Sequence, residues 1–377
     1  MRVAILNVYS ARNRGDGLLA ELAVAMGRQA YGPDTTFTVA AHDPDSFGDT
    51  DFGAPVTVLS PFGSANGALV ALRGALALVT AGRLGFSRAF RAATRDADVL
   101  VSVGGAYLRG GFASELAKCL LVHGSQLAYA GRLAQRTNWV LLPQSIGPFT
   151  GVAHTVVSRW LSRATAVFLR DDKSVREFAG LVNTHRVGDS AVLAIGATDS
   201  GTTGDAAGAG SRPAVRRGLI LRALPDAGAY EDNARALLAA SDWVPIVQSA
   251  RGGNNDVLFY ERLGVAASLS LLEAVRDAGI GVCTSVRLHG ALESILLGVP
   301  AVHLSYERKG FAAYGDLGLQ AYVFDARTAD PADVLAAVAA VEADPTAFWN
   351  ALKTTADERV QQRALVVDTL AAAGRTA

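Results

Sequence analysis

An α/β protein of two Rossmann-like domains facing one cleft is what this sequence predicts, and three observations carry the prediction. At 377 residues the chain is long for a single hydrophobic core. Half of it is apolar and 19% is charged, enough to bury large cores. Short apolar runs also alternate with longer helical patterns on both sides of a structureless stretch. That alternation is the pattern of parallel sheets with helices on both faces.

In the first half the strand candidates are "RVAILNV", "TFTVAAH", "VTVLS", "VLVSVGG", "NWVLLPQ", "AVFLR" and "HRVGD". Helical spacing falls between several of them, over Gly17–Tyr31, Glu115–Leu133 and Ala153–Ala164. Residues 196–217 are rich in Gly, Ala, Ser and Thr without periodicity and read as an interdomain linker. The alternation then resumes with "GLILRAL", "WVPIVQS", "GIGVCTS" and "PAVHLSY" as strands, and with helices around Tyr230–Ser241 and Asn255–Gly264. The resulting division is 1–195 for the first domain, 218–345 for the second, and a closing helical segment over 346–377 with a course back to the first domain open to it.

Lys plus Arg equals Asp plus Glu at 35 each, which argues against a dedicated nucleic-acid binder. Cys119 and Cys283 sit in apolar stretches without metal-ligand or framework spacing, which suits a reducing cytoplasm. "MRVAILNVYS" lacks the long apolar core of a secretory signal and reads as a first strand. No segment offers the roughly 20 uninterrupted apolar residues of a membrane span. The stretch "NGALVALRGALALVTAGRLGFSRAF" supports two readings. It is either a helix covering the first core, or an arginine-studded apolar surface for peripheral contact with the inner face of an anionic membrane.

Ligands of open α/β sheets bind outside the carboxyl ends of the strands. The residues just past those ends are Asn13 and Asp16, then Gly104 and Gly105, Gln144, Arg170, Arg222, "SVRLHG" and Lys309. Singly, glycines make turns and polar residues cap helices. Several basic residues and a histidine on one rim look like an anion site instead. Before "SVRLHG" the stretch Ala278–Thr284 reads as a buried strand, and after it Ala291–Gly298 reads as a helix. A helix start favours phosphate or carboxylate, Arg287 adds a planar fork for two oxygens, and His289 can hold or move a proton. Gly290 permits close backbone approach, and Glu293, four residues past His289, is spaced to orient the imidazole. A histidine that merely caps the helix is the alternative.

The spacing of "SVRLHGALESILLGVPAV" followed by "SYERKG" resembles the polysaccharide pyruvyl transferases. An N-x-G-D element at Asn13–Asp16, "QSIGP", "RDDKS" and a later Gly-Asp occur in the same order as in that family. Where the family often shows three glycines, this chain has Gly104-Gly105-Ala106. The resemblance implies a GT-B-like fold and transfer of pyruvate from phosphoenolpyruvate to a sugar of a cell-surface glycan or its lipid-linked precursor, as a ketal. It implies His289 as acid/base and Arg287 on donor phosphate or carboxylate, with Arg170, Arg222, Ser285, Gly290 and Lys309 on the donor. Asn13, Asp16, Gly104, Gly105 and Gln144 fall on the acceptor. Phosphoenolpyruvate is a co-substrate; no cofactor and no metal are expected. The competing reading is a GT-B glycosyltransferase that takes a nucleotide-sugar donor.

Overall fold

The computed structural model describes residues 1–195, 216–224, 227–240, 242–250 and 255–375. The expected linker 196–217, except for its last two residues, lies outside them. The chain forms two compact units. The first comprises residues 1–11, 19–190 and the chain from Gln362 onward; the second comprises residues 12–18 and 191–361.

The first unit holds a parallel sheet. Its strands are β1 (Arg2–Val8), β2 (Thr36–Ala41), β3 (Val56–Leu59), β4 (Val99–Ser102), β5 (Gly105–Leu108), β6 (Asn138–Ile146), β7 (Ala166–Leu169) and β8 (Thr184–Arg186). They lie in the order β3-β2-β1-β4-β6-β7-β8, with β5 also on β6. Strands covered on both faces need continuous apolar runs, which is why "VAILNV" and "WVLLPQSI" are buried throughout. Trp139, Phe90, Tyr129, Phe62 and Leu161 are among the side chains of the core on one face. The Glu115–Leu133 region is not one regular helix. Ala113–Cys119 and Ser125–Leu133 are joined by a π-helical turn at Leu120–Gly124.

The end of the chain packs on this unit. Tyr31 donates its hydroxyl hydrogen bond to the Leu370 carbonyl at 2.7 Å, and Asn138 Nδ2 donates to the Ala373 carbonyl at 2.7 Å. Both partners lie on the helix Ala356–Arg375.

The second unit holds β9 (Arg216–Ile220), β10 (Trp243–Pro245), β11 (Ile280–Ser285), β12 (Ala301–Ser305) and β13 (Val323–Asp325). Their order is β10-β9-β11-β12-β13, all parallel. Strand order reverses direction between β9 and β11, and that switch point is where such sheets open a crevice for a ligand. Tyr260 fixes the carboxyl end of β9: its hydroxyl donates to the Leu219 carbonyl and accepts from the Leu221 N–H at 3.0 Å.

Candidate functional site

At the end of β11 the Ser285 hydroxyl accepts from Arg287 N–H at 3.1 Å and donates to the Arg287 carbonyl at 2.7 Å, which turns the chain sharply. The helix Leu288–Leu296 starts there with Arg287 at its N-cap and no side-chain cap. The neighbouring β12 repeats the arrangement, with helix Arg308–Asp316 starting behind an uncapped Glu307. Three other helices of the unit are capped, by Asn255, Ser270 and Asp330, while Thr346–Lys353 starts behind Pro345 without a side-chain cap. An uncapped first turn points N–H groups and partial positive charge outward, a setting for an anion. Gly290 is small for packing reasons, because a Cβ there would lie 2.9 Å from both Ser285 Oγ and Ile220 Cδ1.

The Asn13–Asp16 element belongs to this unit, not to the first-domain acceptor surface expected from its place in the sequence. Asn13 forms an antiparallel bridge with Ser249, and Arg14 N–H donates to the Gln248 carbonyl at 2.9 Å. Arg14 Nε donates to Glu293 Oε1 at 2.6 Å, and Gln248 Nε2 donates to Glu293 Oε2 at 3.2 Å. Glu293 thus accepts on one oxygen from Arg14 and on the other from Gln248. Gly15 lies against His289: a Cβ would stand 2.8 Å from Nδ1 and 3.0 Å from the His289 Cβ.

Asp16 completes the cluster. Burial raises its pKa above the ordinary carboxylate value; a hydrogen bond from Asn13 Nδ2 at 2.9 Å and the charges of His289, Lys309 and Arg287 pull it back. Lys309 also pairs with Glu307 at 2.8 Å. Behind them His303 donates from Nδ1 to the Ser285 carbonyl at 2.8 Å, and burial lowers its pKa to about 4, so the ring is neutral near pH 7. Gly310 leaves room for that ring, since a side chain there would collide with His303 Nε2.

Two expected anion ligands have protein partners. Arg287 Nε and Nη2 both donate to the carboxylate of Asp256, which also accepts from the N–H groups of Gln248 and Ser249 at 3.0 Å each. The fork expected to meet donor oxygens meets Asp256, because a guanidinium only 9% exposed requires a buried counter-charge. Arg170, in the first unit, is likewise buried on Asp189 and donates from Nε to Ser145 Oγ at 3.0 Å. Arg222 is half-buried at the switch point, where it donates to the Tyr306 hydroxyl at 3.1 Å and lies over that ring.

In the first unit, a Cβ at Gly104 would strike the Pro143 carbonyl, and Gly105 has φ +143°, so both glycines answer to the backbone. Gln144 is fully buried, and neither atom of its amide group has a hydrogen-bond partner.

A cluster that the sequence did not single out lies at the ends of β1, β2 and β5. The buried His123 ring stacks on Tyr107 at 4.4 Å and meets His42 edge-on at 5.5 Å; Tyr9 lies beside both. Asn7, with φ +67°, donates from Nδ2 to the His123 carbonyl at 3.2 Å. His123 Nδ1 and Asn7 Oδ1 are buried without a hydrogen-bond partner, and burial pushes the His123 pKa well below the usual imidazole value. The π-turn that carries His123 is a feature frequent at functional sites. Among the described residues, no three His, Cys, Asp or Glu side chains are placed to hold a metal ion.

The model of the polysaccharide pyruvyl transferase family matches residues 13–277, most of the chain, and ends short of Ser285. No curated protein matches the sequence. Among solved structures, UDP-GlcNAc 2-epimerase from Neisseria meningitidis bound to UDP-GlcNAc is similar at TM-score 0.54 and 11% identity, over 98% of this chain and 99% of that one. Sucrose-phosphate synthase from Thermosynechococcus elongatus is similar at TM-score 0.52 and 12% identity, over 98% and 96%. At such identities the likeness is one of fold, a GT-B-like fold with two parallel α/β sheets.

Proposed function

The chain belongs to the polysaccharide pyruvyl transferase family, and from that premise we propose that it transfers pyruvate from phosphoenolpyruvate to a sugar of a cell-surface glycan or its precursor. The observation that carries the reading is the packing of Gly15 against His289, with Asp16 and Lys309 in the same electrostatic field. Proton-carrying groups and a cation thus stand beside two uncapped helix starts. That is the equipment needed for a small donor with a phosphate and a carboxylate.

In ketal formation a proton is added to C3 of the enolpyruvyl group, and an acceptor hydroxyl bonds to C2. Phosphate leaves C2 with the C–O electron pair, and a second hydroxyl takes its place. Of the two hydroxyl protons, one replaces the proton given to C3 and the other leaves with phosphate. His289 delivers and recovers the proton, and Asp16, inclined by burial to keep its own, sustains the exchange. Lys309 and the first turns of the helices Leu288–Leu296 and Arg308–Asp316 receive the phosphate, and Ser285 shapes the turn before the first of them. Arg222 receives the carboxylate. Arg287 acts through Asp256, holding the segment Gln248–Ser249 that in turn carries Asn13 and Arg14. No cofactor or metal enters this scheme.

For the acceptor we assign the first unit's strand ends. Tyr9 and His42, both half-buried, offer ring faces suited to a pyranose, and the buried amide of Gln144 has no protein partner. The test is incubation with isotopically labelled phosphoenolpyruvate and a panel of free and lipid-linked glycans, followed by mass analysis. A ketal-bound pyruvate on a glycan is expected. The rival nucleotide-sugar reading is separated by a thermal-shift comparison: stabilisation by uridine diphosphate but not by phosphoenolpyruvate would favour it.

A further inference from the structure

We propose that the helix Gly67–Val79 and the segment after it form a docking surface for an anionic lipid bilayer. The helix is apolar nearly all round, although only one of its sides is covered. On the covered side Ala77 is fully buried, and Gly74 sits so close to the Leu121 backbone that a side chain would collide with it. On the other side Leu69, Leu72, Leu76 and Val79 are exposed, Leu72 at 66% and Val79 at 86%. Their spacing of three, four and three places them within about 80° of the helix circumference. Leu84 continues the exposed apolar surface. Five of the large apolar side chains exposed among the described residues thus fall within Leu69–Leu84.

Charge identifies the occupant. From Phe52 to Arg95 the sequence contains no Asp or Glu and five arginines, in a chain whose total charges balance. Arg83, Arg88 and Arg95 are exposed. Arg73 and Arg91 bond to the carbonyls of Phe62 and Arg83, and so hold their charge on the same segment. An apolar row beside unopposed arginines fits acyl chains beneath phosphate headgroups. A second copy of the same face fits poorly, since symmetric pairing brings arginine against arginine with no acid to separate them. The helix is too short to span the bilayer and would lie in its plane.

The test is flotation of the full chain with vesicles of phosphatidylcholine alone and of phosphatidylcholine mixed with phosphatidylglycerol. Binding to the mixed vesicles and release by high salt are expected. Replacing two basic residues (Arg83→Gln with Arg88→Gln) lowers the partition coefficient roughly 25-fold, at about fivefold for each charge lost near an anionic surface. Leu72→Glu with Val79→Glu abolishes binding while the melting temperature stays at the wild-type value, because both side chains are already in water. Wild-type protein that stays with the soluble fraction overturns the proposal. So does the Leu72→Glu, Val79→Glu variant floating like wild type. Sedimentation showing a wild-type dimer that this variant converts to monomer, without lipid binding, assigns the face to a second copy instead.

Discussion

Gly15→Ala is the smallest change that interrogates the proposed centre. The new methyl would stand 2.8 Å from His289 Nδ1, 3.0 Å from its Cβ and 3.1 Å from its Cγ. Ordinary contact begins near 3.4 Å, so the imidazole must retreat by about 0.6 Å at Nδ1. Gly15 is the second residue of the helix Arg14–Tyr31, where alanine suits the backbone, and His289 is only half-buried. The cost in stability is therefore small, at most the roughly 1–3 kcal/mol of mild overpacking. The cost in rate is larger, since a displacement of about 1 Å at a reacting group can lower turnover about 100-fold. Phosphate release from phosphoenolpyruvate with acceptor present reads kcat, and urea unfolding reads stability. The same substitution made in a His289→Ala background should add almost nothing to the loss, because the group it displaces is gone. Wild-type kcat in Gly15→Ala, or an equal further loss in the His289→Ala background, would refute the idea that this glycine serves the histidine.

Asp16→Asn should lower kcat about 10²- to 10⁴-fold if the carboxyl exchanges a proton with the reaction. Its stability effect runs the other way. Burial raises the folded pKa, so wild-type stability falls as pH rises from the unfolded value near 3.8 through the folded one and stays lower above it. The asparagine variant should melt higher than wild type at neutral pH, the gap closing as pH falls toward 3.8; a gap that widens on acidification contradicts the assignment. Arg287→Ala leaves Asp256 buried and unpaired and should cost about 3–5 kcal/mol, read from the urea midpoint. Unchanged stability would mean that the pair does not form in solution. Lys309→Met should stay within about 0.5 kcal/mol of wild type, because its bond to Glu307 is partly solvated, yet raise KM for phosphoenolpyruvate at least tenfold. An unaltered KM removes Lys309 from the donor.

The strands were legible because parallel sheets bury both faces and so write themselves as unbroken apolar runs. β1, β6, β11 and β12 lie where "RVAILNV", "NWVLLPQ", "GIGVCTS" and "PAVHLSY" placed them. β5 and β13 were not legible. Gly105–Leu108 begins on the second of two glycines that read as a turn, and Val323–Asp325 is only three residues long. The π-turn at Leu120–Gly124 was hidden too, since helical sequence flanks it on both sides with no proline to mark the break. The histidine–tyrosine cluster escaped for another reason. Tyr9, His42, Tyr107 and His123 are dispersed along the chain and meet only where the ends of β1 and β2, the strand β5 on β6 and the π-turn come together.

The site shows what a one-dimensional reading does to charge. A sequence displays every arginine but not the carboxylate that balances it. Asp189 stands 19 residues after Arg170, Asp256 stands 31 residues before Arg287, and neither spacing belongs to any local motif. Once those two pairs are closed, Arg287 and Arg170 contribute little net positive charge to a donor. In the proposed function, anion binding by the second unit then rests on Lys309, Arg222 and the uncapped starts of the helices behind β11 and β12. Backbone donors differ from arginines in a way that matters for catalysis: they are fixed by the fold and need no reorganisation as charge moves onto the departing phosphate. On this reasoning the glycines and serines of the strand ends, which by themselves read as turn residues, are as necessary to phosphate departure as the basic side chains that first drew attention to the site.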